Sequence, residues 1–312
     1  MGEAINTLEQ SFDKTKKLFF PIRKEYWLRM GLISLFGGGA RHSFSGNNLS
    51  LPENPDFNIV DFISQYGTLI GVLFFFFFFV SLFFTYVGSV FTFMFIEGIV
   101  NKNIKIRKSF KQNHNQGLNL FFVRVILGIV SLIILLLIFS PILISLFKSQ
   151  LQTFNYWLLI PMFLSLFIFI VLISIFWFLA YDFVVPIMYL KNYKFLTAWD
   201  YFIKEALNKK TEIFLYWIVK IGVSILVAIA SIILLIPLII LLIIIAIPFA
   251  LLGVGIYFLF TLVNNIVAIA ITSLYGFILL LLGIYILSVV FVPVSVFFRM
   301  WSIEMTKKMV KI

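Results

Sequence analysis

Between Ile213 and Phe298 the chain carries a single charged residue, Lys220. No soluble core accommodates so long a stretch without polar breaks, because soluble elements return to water every few turns. A helix that crosses a bilayer needs about 20 apolar residues, so this stretch has room for several. A second stretch, Gly67 to Ile96, has no charged residue at all. Hydrophobic residues make up 62% of the chain and charged residues 12%, against about 45–50% and about 25% in soluble domains. The excess apolar surface has to face lipid. The fold class expected is therefore all-α, a polytopic transmembrane helix bundle forming one membrane domain over residues 1–312.

The same composition excludes several chemistries. There is no cysteine, hence no disulfide, thiolate metal site or thiol nucleophile. The two histidines, His42 and His114, fall in different polar segments, so no metal site and no cofactor is expected. The net charge of +11 reads as basic inner loops facing anionic lipid headgroups rather than nucleic acid, because no interleaved nucleic-acid module accompanies it. The six consecutive phenylalanines, Phe74 to Phe79, point in every direction around a helix and form no single face. They read as lipid-facing bulk.

About six crossings are expected. Residues 1–20 are interrupted by Glu3 and Glu9, unlike a signal peptide. Ile5, Leu8, Phe12 and Phe19 recur at helical spacing opposite Lys14 and Lys17, which predicts an interfacial amphipathic helix. Residues 26–40 form a short first crossing ended by Gly37, Gly38 and Gly39, and residues 41–66 an outer loop. Residues 67–147 form a first hairpin unit and 155–246 a second, with basic loops at 101–119 and 191–212; the latter carries a helix with Trp199, Phe202 and Ala206 on one side. A last crossing covers 266–298. The stretch 213–298 makes either two crossings joined by a partly embedded outer segment, or four if Pro237, Pro248 and the Gly253–Gly255 pair break it. In the six-crossing threading only Arg41 and Lys148 among the 24 lysines and arginines face outward. The positive-inside rule then places both termini in the cytoplasm and the protein in the cell membrane. Asn48, in the pattern Asn48-Leu49-Ser50, is a possible glycosylation site of the outer loop.

The two inner loops resemble each other. "KNIKIRKSF" starts at Lys102 and "KNYKFLTAW" at Lys191. Each leads to one basic residue, Arg124 or Lys220, followed seventeen positions later by Pro141 or Pro237. The spans before the loops carry Glu97 and Asp182. This pattern predicts a duplicated helical hairpin.

The segments "YWLRMGLISLFGGGA" (Tyr26 to Ala40), "IEGIVNKNIKIRKSFKQNHNQGLNLFFVRVILGI" (Ile96 to Ile129) and "YDFVVPIMYL" (Tyr181 to Leu190) resemble an uncharacterised archaeal family of multi-pass membrane proteins, a domain of unknown function abundant in haloarchaea. A weaker likeness is to the membrane domain of glycerophosphodiester phosphodiesterases, whose catalytic barrel has no counterpart here. Neither resemblance implies functional residues.

The candidate site residues are the intramembrane charges Glu97, Arg124, Asp182 and Lys220. Such residues are costly in lipid and are by default functional candidates. Glu97, Asp182 and Lys220 lie within about 7–13 Å of the inner charged segments, at 1.5 Å rise per residue, where structural pairing or snorkelling competes with function. Asp182 and Lys220, at similar depth, form one candidate pair; Glu97 and Arg124 form the repeat-related one. No nucleophile–base pair and no phosphate-binding glycine loop is readable, so the protein is not expected to be an enzyme. A non-enzymatic scaffold, or an accessory of transport or envelope assembly, is the reading the sequence favours. A transporter of small solutes or lipids using the buried charges, and a lipid-modifying enzyme, are its rivals.

Overall fold

A computed structural model describes residues 3–20, 23–37, 59–102, 104–147, 156–262 and 264–310. Asn48 and the outer loop around it lie outside the described residues. Among those described there is no strand. The chain runs as α1 (Glu3–Phe19), α2 (Lys24–Gly37), α3 (Ile59–Asn101), α4 (Ile106–Phe147), α5 (Leu159–Leu179), a π-helical turn (Ala180–Val184), α6 (Val185–Lys191), α7 (Phe195–Asn208), α8 (Lys210–Thr261) and α9 (Asn265–Val310).

Among the described residues, five helical stretches are long and apolar enough to cross a membrane: Tyr66–Asn101, Ile106–Ser145, Leu159–Lys191, Lys210–Thr261 and Asn265–Val310. The expected first crossing is shorter than these. Helix α2 has 14 residues and rises about 21 Å, less than the hydrocarbon core of about 30 Å.

Two other expectations are corrected. The basic loop placed at 101–119 shrinks to a turn of a few residues, and α4 begins at Ile106. Its packed side is Ser109, Asn113, Gly117 and Leu120, which are helically spaced but too polar to read as an apolar stripe. The second basic loop does contain the expected helix, α7, with Ala198 and Phe202 buried. The stretch 213–298 holds two helices, and no embedded segment interrupts them. Helix α8 continues through Pro237 and Pro248, and the break comes at Asn264, whose side-chain Oδ1 accepts the Ile266 N–H at 2.7 Å. The residues around both prolines are large, apolar and exposed, and in apolar surroundings the remaining backbone bonds keep α8 helical despite the two missing N–H donors.

The helices group into two compact units. The first comprises Met1–Leu35, Gly98–Ile104 and Ile203–Ile312. Here α1 lies on the C-terminal part of α9. Along most of its length its buried residues are small or hydroxyl-bearing, Ala4, Thr7, Ser11 and Thr15, and at its C-terminal end Leu18 and Phe19 are buried as well. Trp301 Nε1 donates to Thr7 Oγ1 at 3.2 Å, Lys14 Nζ pairs with Glu304 at 2.6 Å, and the Trp301 ring meets Tyr216 edge-on at 5.0 Å. Where α2 crosses α9, a Cβ added at Gly31 would stand 2.3 Å from Val289 Cγ2, so only glycine lets these two helices approach so closely.

The second unit comprises Phe36–Glu97 and Lys105–Phe202. The C-terminal part of α3 packs on the N-terminal part of α4, with Gly117 fitted against Val90. The α5–α6 rod carries Phe176, which stacks on Trp199 of α7 at 4.8 Å, and Phe183, which stacks on Phe202 at 5.2 Å.

Within each unit the long helices share one pattern. The end nearest the basic residues is packed, and the other end is apolar and exposed. In α3, Val90 and Phe93 to Ile96 are buried, whereas Phe74 to Phe79 are each between 48% and 64% exposed. Those six rings contact mainly one another, as in the stacked pair Phe74–Phe78. In α9, Val292 and Val296 are buried and Ile266, Leu274 and Leu282 exposed. Apolar patches of this extent are suited to lipid.

Candidate functional site

The most concentrated polar chemistry inside the apolar spans surrounds Arg124, in the second unit. Arg124 lies five residues beyond Asn119, about 7 Å into the apolar part of α4. Its guanidinium turns inward to α3 instead of snorkelling along α4. Nη1 donates to Ser89 Oγ at 2.8 Å and reaches the Thr85 carbonyl at 3.4 Å. Nη2 donates to Thr92 Oγ1 at 3.3 Å and to the Tyr181 hydroxyl. The guanidinium carbon also stands 5.5 Å from the centre of the Tyr181 ring, within cation–π range.

The three α3 residues are spaced four and three apart, which places them on one helix face. Their hydroxyl hydrogens are directed elsewhere. Ser89 donates to the Thr85 carbonyl at 2.7 Å, and Thr92 to the Gly88 carbonyl at 2.7 Å and the Gly37 carbonyl at 3.0 Å. Oxygen lone pairs are thus what Arg124 meets. The cage is neutral, so it solvates the cation without cancelling its charge. Arg124 Nε is buried without a partner.

Tyr181 is delivered by the π turn. Pro186 has no N–H for the Asp182 carbonyl four residues earlier, and its ring crowds that position. A local widening at Ala180–Val184 absorbs the conflict. Such π turns recur at functional sites. This one buries Asp182 as well as Tyr181.

The remaining candidate residues are held differently. Glu97 is buried and accepts hydrogen bonds from Ser109 Oγ at 3.1 Å and from the Asn113 amide. Asn113 also donates to the Ser109 carbonyl at 2.9 Å, closing a small ring of bonds at the start of α4. Glu97 and Arg124 therefore have different, neutral partners. Lys220 belongs to the first unit. Its Nζ donates to the Tyr216 hydroxyl at 3.3 Å and stands 5.4 Å and 5.9 Å from the centres of the Tyr216 and Phe298 rings. Asp182 belongs to the second unit, so each residue of that candidate pair is described in its own surroundings. His114, expected in a loop, is on α4, with Nδ1 2.7 Å from the Tyr86 hydroxyl. Among the described residues no group of three His, Cys, Asp or Glu side chains could hold a metal ion.

Sequence reasoning singled out the charges and missed Thr85, Ser89, Thr92, Tyr181, Ser109 and Asn113. The helical spacing of Thr85, Ser89 and Thr92 was the available signal. It becomes informative only when α4 is known to face them.

The chain belongs to a family of unknown function, DUF7544, whose model matches residues 2–309. No curated protein and no solved structure matches it. The five apolar helices are compatible with a membrane protein, and the family description assigns no role.

Proposed function

We propose that this protein is a multi-pass component of the cell membrane with a non-enzymatic role, as a scaffold or as an accessory of transport or envelope assembly. Both termini are cytoplasmic in this reading. The observation that carries it is the way the intramembrane charges are bonded: Glu97 to Ser109 and Asn113, and Arg124 to Ser89, Thr92 and Tyr181. These bonds tie α3 to α4 and to the π turn, so they serve the integrity of the unit.

The duplicated hairpin is part of the same proposal. Two local geometries support it. A left-handed residue follows each preceding helix, Lys102 in the first and Asn192, one position further along the aligned loop, in the second, both at φ 54°. The next helices open with equivalent bonds, Ser109 N–H to the Lys105 carbonyl and Ala198 N–H to the Lys194 carbonyl. The archaeal origin rests on the sequence patterns alone.

Thermal unfolding of the purified protein tests the structural role. Arg124→Gln removes charge-assisted bonds worth about 1.5–3 kcal/mol and is expected to lower the melting temperature clearly. Glu97→Gln, which retains hydrogen-bonding capacity but loses the charge, is expected to lower it less. Melting curves unchanged in both variants would contradict a structural role.

One observation favours a second reading. Arg124 is a cation among neutral partners with a buried, unpaired Nε, an arrangement suited to an anionic solute or lipid headgroup. A transporter of this kind predicts anion flux in proteoliposomes that Arg124→Gln abolishes while the protein remains folded.

A further inference from the structure

We infer that the first unit holds one anionic membrane lipid, with its hydrocarbon chain in a groove under α1 and its headgroup on the basic residues at the end of that helix. This inference rests on the membrane placement proposed above and is independent of the scaffold role.

The starting observation is which face of α1 is packed. An amphipathic helix docked on a protein normally buries its apolar stripe. Here the small and hydroxyl-bearing stripe, Ala4, Thr7, Ser11 and Thr15, is buried against the protein. Only at the C-terminal end are Leu18 and Phe19 buried; over the first three turns the larger apolar residues are left open, Ile5 40% exposed and Phe12 62%. They do not face empty solvent. Ile5, Leu8 and Phe12 form one wall of a groove of about 910 Å³, whose other wall includes Val223 and Leu226 of α8 and Pro293 of α9. That volume lies in the range of small-molecule and lipid sites.

Two features commit the groove to a lipid. First, Leu226 is also part of the exposed apolar surface that continues along α8 through Ile229 and Ile233. The groove is an inward extension of the lipid-facing surface, so the hydrocarbon available to fill it is a lipid chain. Second, Lys16 lines the groove, and Lys17, Arg23 and Lys24 are exposed nearby in the chain, against the exposed acids Asp13 and Glu25, the latter paired with Arg29 at 3.1 Å. Lys14 is engaged with Glu304 and is not counted. Glu9 is the acidic residue of the lining. Cations therefore predominate where a headgroup would lie, and basic residues at an interface attract anionic headgroups.

The test is native mass spectrometry of the full chain in detergent, titrated with phosphatidylglycerol or phosphatidylcholine. The expected result is one retained phosphatidylglycerol, bound about tenfold more tightly than phosphatidylcholine, as a few lysines near a headgroup allow. Val227→Phe, which adds bulk to the α8 wall, should abolish the bound lipid. Leu8→Trp fills the groove from the α1 wall and gives the same reading if Val227→Phe fails to fold. Lys16→Gln with Lys17→Gln should remove the preference for phosphatidylglycerol and retain weak binding of both lipids. Equal binding of the two lipids by the parent, or a bound lipid indifferent to both groove-filling variants, overturns the inference. The membrane placement is checked separately, by quenching of total tryptophan fluorescence in vesicles of brominated phosphatidylcholine. Absence of quenching there overturns the placement itself. Quenching without headgroup preference overturns the lipid site alone.

Discussion

Single residues decide how closely the helices approach. At Gly117 an added Cβ would stand 2.5 Å from Val90 Cγ2 and 2.7 Å from its Cα. The second contact is with backbone, so a side-chain rotation does not relieve it. Gly117→Ala is expected to destabilise by about 1–3 kcal/mol, the usual cost of overpacking, visible as a lower melting temperature. Gly128, eleven residues later on the same helix, has nothing within 4 Å. Gly128→Ala should be neutral or slightly stabilising, because alanine is the better helix former by about 0.8–1 kcal/mol. Equal melting temperatures for the two variants would refute the close crossing of α3 and α4. None of this was legible in the sequence, where the two glycines look alike. The charges of the site were legible, since Arg124 and Glu97 stand out in apolar surroundings. Their partners were not, because a hydroxyl in a span bonds its own backbone by default, and its second partner depends on which helix lies opposite.

Among the elements, α1 illustrates how far periodicity reaches. Of the apolar stripe that its periodicity gives, Ile5 and Phe12 are exposed, whereas Phe19 is buried. The packing stripe Ala4-Thr7-Ser11-Thr15 has no hydrophobic signature, so the docking on α9 was invisible. Helix α8 poses a question of length. The apolar run 221–262 spans about 63 Å if straight, and a tilt of up to 40° lets about 40 Å lie within a hydrocarbon core of about 30 Å. Pro237 and Pro248 leave the Ile233 and Ile244 carbonyls without their helical donors, which makes these the natural places to bend. Spin labels at Leu226 and Leu259 would be about 50 Å apart along a straight helix. In lipid nanodiscs a shorter, broader distance distribution is expected, and Pro237→Ala with Pro248→Ala should lengthen it. A sharp distribution near the straight value in the parent would show that α8 leaves the bilayer unbent.

At the scale of the whole molecule the open quantity is the number of crossings, and the first unit constrains it. Helix α1 is fastened to the C-terminal part of α9 by the Lys14–Glu304 pair and the Trp301–Thr7 bond. In the proposed membrane placement the two ends of the chain then lie on the same side. That placement requires an even number of crossings between them, whereas five of the described helices are long and apolar enough to cross. The proposed six-crossing threading assigns the remaining crossing to residues 26–40, where α2 supplies 14 residues and about 21 Å. The absence of cysteine makes this directly measurable. Single cysteines in place of Gln10, Ser50, Lys105 and Lys204 are probed in intact cells with a membrane-impermeant maleimide. Labelling at Ser50 alone is expected, because the basic residues of α1 and of both inner loops belong in the cytoplasm. Labelling at Gln10 as well as Ser50 would mean that α2 turns back without crossing, and would contradict the attachment of α1 to α9. Labelling at Lys105 or Lys204 would overturn the orientation as a whole.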